Sequence, residues 1–262
     1  MWGDVTRLDL RLRRVSLLAY SAGFLLYAVL IVVLYPTFRH DTSFDDLLSS
    51  NPTLSALFGL SGSLTSPTGW MNANLYANFV PLFALLITIA YGASAIAGQD
   101  EDGTLGGVAS LPLTRGRMLA EKAIALALLA LPIPVVTLVA AVIGRGFDLD
   151  LGVGALVQTT AVTACMAFDL GLVALAVGTW TGSRGTALGV SVAVAAVAYV
   201  ISSLAPVVHI AHALRYASPI YWSVGAGQLS DGADALGAIL AVVLGVVMYG
   251  VAWRGFRRLD IH

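Results

Sequence analysis

The sequence predicts an all-α polytopic membrane protein, with six transmembrane helices preceded by an amphipathic helix at the membrane interface. Three observations carry that prediction. The chain of 262 residues is 58% hydrophobic and 11% charged, with a mean hydropathy of +0.86. Soluble domains average about 25% charged residues, so a water-facing surface of this size could not be covered. Six continuous apolar stretches each reach the roughly 20 residues that a spanning helix needs. Basic residues gather beside alternate ends of those stretches, as the positive-inside rule requires.

The elements follow in chain order. Residues 1–14 form the interface helix. Val5, Leu8, Leu12 and Val15 recur at helical spacing, Arg7, Arg11 and Arg14 share another face, and Trp2 stands at the start; this is the pattern of a helix lying in the headgroup layer. The six spans occupy Val15–Tyr35, Asn78–Ala97, Leu119–Ile143, Gly154–Thr179, Thr186–Pro206 and Ala233–Trp253, within a transmembrane domain of residues 15–262. The first is longer than the roughly 7–15 residues of a signal-peptide core, and no small-residue cleavage site follows it. These runs are continuously apolar, which excludes the alternating strands of a barrel. Pro132 and Pro134 lie inside the third span and predict a kink. Small residues recur at four-residue spacing at Gly185, Gly189 and Ala193 and again at Gly237, Ala241 and Gly245, a pattern that permits close helix approach within the chain or in a dimer.

Orientation follows from charge. With the N-terminus inside, the cytoplasmic segments carry Arg7, Arg11, Arg13, Arg14, Arg115, Arg117, Lys122, Arg184, Arg254, Arg257 and Arg258, against Arg39, Arg145 and Arg215 outside. Both termini are therefore expected in the cytoplasm. Two connections fall outside. Residues 36–77 are polar and acidic at Asp41, Asp45 and Asp46, with an apolar patch at Leu54–Leu60. Residues 207–232 predict two short helical pieces broken around Ser218-Pro219, with Tyr216, Tyr221 and Trp222 as interfacial aromatics.

Composition also excludes functions. A net charge of -1 gives no basis for nucleic-acid binding. A phosphate-binding loop needs Gly-Lys-Ser/Thr, and Lys122, the single lysine, stands between Glu121 and Ala123. The chain carries no nucleotide motif and is not expected to be an enzyme. Cys165 is alone in an apolar run, which leaves no intrachain disulfide or cysteine-based metal site; it reads as a small packing residue. His209 and His212 are three apart without a carboxylate beside them and read as interfacial histidines.

Two places carry unusual charge. The inner loop from Gly98 to residue 118 holds Asp100, Glu101 and Asp102 ahead of Gly103-Thr104, then a short helix with Leu105, Val108 and Leu111 on one stripe, ended by Pro112. Acidic residues ahead of a helix suit the positive end of its dipole. A short amphipathic helix parallel to the membrane suits a groove on a cytoplasmic partner. Within the spans Asp169 is the one deep carboxylate; ionised near a helix centre it costs about 2.5–3.5 kcal/mol, so it should face protein or water. It marks either a substrate path or moving polar contact, or a structural carboxyl held by Thr163 or Thr179.

At the inner loop the sequence resembles the ABC-2 type permeases, the membrane subunits of ATP-driven exporters of the short six-helix kind. The matching residues are the acidic Asp100-Glu101-Asp102-Gly103-Thr104-Leu105, then Leu111-Pro112-Leu113-Thr114-Arg115, then Lys122. Upstream, Asn51-Pro52, Phe58-Gly59, Thr65 to Trp70 and Phe79-Val80-Pro81 fit as well, as does the tail from Arg254 to Ile261, where Leu259 interrupts Arg-Arg-Asp. The resemblance implies a helix that couples this chain to a separate cytoplasmic ATPase. It places that role on Asp100, Glu101, Asp102, Gly103, Thr104, Leu105, Leu111, Pro112 and Arg115, with Arg7 and Arg11 of the N-terminal helix beside them. It implies two permeases, identical or homologous, with two ATPases that bind ATP and Mg, in a bacterial plasma (inner) membrane. No cofactor is expected in this chain.

The few polar residues within the spans favour a hydrophobic or amphipathic cargo such as a drug, a lipid or a peptide. The alternative is an ion-coupled carrier or channel without an ATPase, which calls for several intramembrane ionisable residues and often inverted repeats. The spans hold Asp169 and no convincing repeat. A membrane-embedded enzyme would need clustered acids or histidines at one depth.

Overall fold

Lipid offers the backbone no hydrogen-bond partners, so the chain satisfies its own amides within helices. The computed structural model describes residues 3–40, 63–109, 113–205, 208–225 and 227–259. Those residues form an all-α bundle in which six helical stretches are long and apolar enough to cross a membrane, as expected. The expected patch at Leu54–Leu60 and the acids Asp41, Asp45 and Asp46 lie outside the described residues.

The first helix, α1 (Asp4–Phe38), is continuous. The boundary expected between an interface helix and the first span at Arg14–Val15 is not a break. The reason is local: between Gly3 and Gly23 no glycine or proline interrupts a run of good helix formers. At 1.5 Å per residue α1 is about 52 Å long, well beyond the roughly 30 Å hydrocarbon core.

The second span begins earlier than expected. It runs as one helical stretch from Pro67 to Glu101, through α2 (Pro67–Met71), a π-helical turn (Asn72–Tyr76), α3 (Phe79–Ala93) and a second π-helical turn (Ser94–Gly98). Ser66 caps it by accepting from the Gly69 amide, and Pro67 takes the first helical position. Trp70, Met71, Leu75 and Tyr76 are buried, so residues 67–77 pack with the bundle instead of forming an outer loop. A short helix α4 (Leu105–Ala109) follows. The third span is α5 (Arg115–Ala130) and α6 (Pro132–Gly144), interrupted at Leu131 immediately before Pro132, which has no amide hydrogen to continue the ladder.

α7 (Val153–Thr181) is the most buried of the spans and packs against α3 and against the two spans that follow it. It is apolar or small on every side, the mark of a central helix. A Cβ at Gly92 would lie 2.2 Å from the Gly171 carbonyl oxygen, so α3 and α7 meet backbone to backbone. α8 (Arg184–Leu204) and α10 (Ala235–Arg258) flank it, with α9 (His209–Leu214) between them in sequence. The described residues of 207–232 form short helical pieces that break at Ser218 as expected, with a further one at Gln228–Asp231. Trp222, however, is buried rather than interfacial: Gly237 of α10 leaves it room, with a Cβ there falling 3.1 Å from the Trp222 side chain. The Gly237, Ala241 and Gly245 stripe is thus an intrachain seam. Gly185, Gly189 and Ala193 are exposed and seal nothing within the chain. Cys165, expected as a packing residue, is exposed on α7.

Candidate coupling site at the end of the bundle that carries both termini

The start of α1, residues 98–109, residues 113–118 and the end of α10 meet at one end of the bundle. Three groups of polar contacts hold them there. In the first, the unpaired amides at the start of α1 find an acceptor on α5. The Val5 amide donates to Glu121 Oε2 at 2.9 Å and the Thr6 hydroxyl to the Glu121 carbonyl at 2.8 Å. A helix N-terminus carries orphan donors and a partial positive charge, which a carboxylate satisfies. Arg117 Nε in turn donates to Glu121 Oε1 at 3.1 Å.

In the second group, Lys122 Nζ reaches both carboxylate oxygens of Asp9, at 3.1 and 2.9 Å, and donates to Gln99 Oε1 at 2.9 Å. The Tyr91 hydroxyl donates to Asp9 Oδ2 at 2.6 Å. Lys122 and Asp9 are both fully buried. A buried charge is tolerable only when paired and hydrogen-bonded, and here each ion has at least two partners. The cluster joins α1, α3, α5 and the turn at Gln99–Glu101 that opens the loop.

In the third, Arg115 Nη1 donates to the carbonyls of Phe256 at 2.8 Å and Leu259 at 2.7 Å, and its guanidinium lies over the Phe256 ring. A cation there complements the negative end of the α10 dipole.

The expected coupling residues divide on this frame. Glu101, Asp102, Gly103 and Thr104 are exposed. Gly103 has φ +68°, a left-handed turn that suits glycine, and the Thr104 amide closes the turn on the Gln99 carbonyl at 2.8 Å. Glu101 serves a different helix from the one expected. It accepts from the Arg184 amide at 2.9 Å, at the start of α8, because the turn Gln99–Glu101 continues the second span and points its acid across to that helix. Leu105 is 0% exposed and packs with Tyr91, Ile96, Met118, Leu119 and Phe256; it anchors α4 to the bundle instead of presenting an apolar face outward. Arg7 and Arg11 are exposed on α1. Leu111 and Pro112 lie outside the described residues.

Sequence reading missed Asp9, Glu121 and Tyr91 as site residues. The available signal was a carboxylate at Asp9 one turn from Val5 on the inward side of a basic segment, and an adjacent Glu-Lys pair at the mouth of an apolar span.

Asp169 sits apart from this end. It is 2% exposed, its Oδ2 has no hydrogen-bond partner, and a Cβ at Gly245 would lie 2.8 Å from its Oδ1. It therefore occupies the α7–α10 seam. The Thr163 and Thr179 hydroxyls expected to hold it donate instead to the Thr159 and Ala176 carbonyls of their own helix. A separate apolar cleft of about 520 Å³ lies between α3 and α8, lined by Pro81, Leu85, Ile89, Leu188, Ala195 and Tyr199 among others, and Asp169 does not line it.

Comparison with known proteins bears on the family. The chain matches the family described as ABC-2 family transporter protein over residues 11–260. No curated protein matches it. With that match spanning nearly the whole chain, together with six spanning helices, the chain belongs to the ABC-2 transporter family and is a multi-pass membrane permease of an ABC transporter.

Proposed function

We propose that this permease is half of the membrane unit of an exporter, driven by a separate cytoplasmic ATPase that docks on the exposed turn Asp102-Gly103-Thr104. The observation that supports this most directly is mechanical. The turn stands on buried Leu105 and leads, through Gln99, into the fully buried Lys122–Asp9 pair, so a push on the loop is delivered to α1, α3 and α5 together. ATP and Mg belong to the ATPase. The working unit is two permeases and two ATPases in a bacterial plasma membrane, with both termini and residues 98–118 in the cytoplasm. The apolar cleft between α3 and α8 supports a hydrophobic or amphipathic cargo: a drug-like compound, a lipid or a peptide.

The test is copurification of the permease with a cytoplasmic P-loop ATPase co-expressed from the same genome, and ATPase stimulation in proteoliposomes. Asp102→Arg and Gly103→Pro should abolish ATPase retention and stimulation while the permease still inserts and keeps its unfolding temperature. Undiminished stimulation by both variants would overturn the docking assignment. Leu105→Asp is a poorer probe, because it unseats a buried side chain.

A further inference from the structure

A second cleft, of about 620 Å³, opens between α1, α3 and α8 just above the coupling turn. Its two ends differ in chemistry. At the end near the termini stand Arg13, Ser94, Gln99, Thr104 and Arg184, with Asp102 at the rim. Further along α3 the lining turns apolar, through Ala90, Leu86 and Phe83 and the ring of Tyr20. Tyr20 and Leu86 are 54% and 58% exposed, so this half opens sideways, toward the bilayer.

The Arg13 guanidinium is held in place, and neither guanidinium is neutralised. Arg13 lies over the Tyr91 ring at 4.9 Å and donates through Nη2 to Ser94 Oγ at 2.8 Å, which occupies one of its five N–H donors. Arg184 rests its stem on Gly98, where a Cβ would fall 3.2 Å from its Cδ. Neither forms an ion pair with a carboxylate among the described residues, although Asp102 lines the same cleft. Among the residues that line the cleft two arginines stand against one acid, and arginine forks match phosphate oxygens. From Ser94 to Phe83 the helix rises about 16 Å, close to the roughly 15 Å depth of one leaflet's hydrocarbon.

We infer that this cleft binds an anionic amphiphile from the leaflet bordering the termini, its phosphate headgroup on Arg13 and Arg184 and an acyl chain along Ala90, Leu86, Phe83 and Tyr20. The inference needs only the spans and the cleft, and so stands or falls separately from ATPase docking.

The whole permease, purified in detergent, is titrated with phosphatidylglycerol and with phosphatidylcholine, and bound lipid is counted by native mass spectrometry. Phosphatidylglycerol should bind in preference. Arg13→Gln and Arg184→Gln should each weaken it about tenfold, the loss of one charge-assisted contact worth about 1.4 kcal/mol. Ala90→Trp should weaken it as much with both charges intact, by filling the chain's path. Arg254→Gln removes an exposed charge at the same end of the bundle, outside the cleft, and should change nothing. Equal loss in Arg254→Gln, equal binding of phosphatidylcholine, or full binding to Ala90→Trp would overturn the assignment. So would displacement of the lipid by inorganic phosphate at comparable concentration, which would make this a free-anion site.

Discussion

Lys122 illustrates how little a residue's type says before its neighbours are known. As the only lysine it excluded a phosphate-binding loop, and in the fold it becomes the hub of a buried pair with Asp9. Removing one partner of such a pair leaves an uncompensated charge and costs about 3–5 kcal/mol. Lys122→Met should therefore lower the unfolding temperature sharply, and Asp9→Asn should do the same. The double substitution should recover part of the loss, because no lone charge remains. A double-mutant cycle by thermal unfolding in lipid nanodiscs reads the coupling; strictly additive losses would show that the two ions do not act as a pair. The pair was not legible in the sequence, since contact across such a separation depends on how the helices pack. Asp169 shows the same limit. Its depth was readable from the hydrophobic run, but its neighbour Gly245 was not, and its expected threonine partners bond within their own helix.

Helices were the most legible elements, because an apolar run and its flanking charges state their own length. Their ends were less so. Ser66-Pro67 is a start signal that lay within a stretch expected to be an outer loop, and no breaker separates the basic N-terminal turns from the first span. The crossing of α3 and α7 gives a sharp test at this scale. Gly92→Leu forces a side chain into the Gly171 carbonyl and should destabilise the bundle by about 1–3 kcal/mol, the cost of overpacking, while Gly189→Leu, with open space around it, should be neutral. Thermal unfolding of the two variants side by side separates the readings. At the end that carries the termini, Arg115→Ala should loosen the last turn of α10, seen as faster amide exchange at Phe256 and Leu259.

At the scale of the whole molecule, composition carried the fold class, and the positive-inside count predicts inward termini. The sidedness is checked by labelling single cysteines in a Cys165→Ser background with a membrane-impermeant maleimide in intact cells. A cysteine at Asp148 should label and one at Gly103 should not until the membrane is opened; the reverse result would invert the topology. What the sequence withheld is how the ends of the bundle are tied together, since those ties are made by single side chains between distant helices.

The Asp9–Lys122 pair also has a timing. The two residues are separated by 113 positions, and Asp9 and Tyr91 by 82. At about 5–20 residues per second, a ribosome needs about 6–23 seconds to follow the aspartate with its lysine. During that interval α1 stands in the membrane with its acid unpaired and its first amides uncapped, because Glu121 arrives only one residue before Lys122. The first helix made thus waits for the third span before it is fixed, and the two adjacent residues Glu121 and Lys122 close the latch on the N-terminus as they emerge.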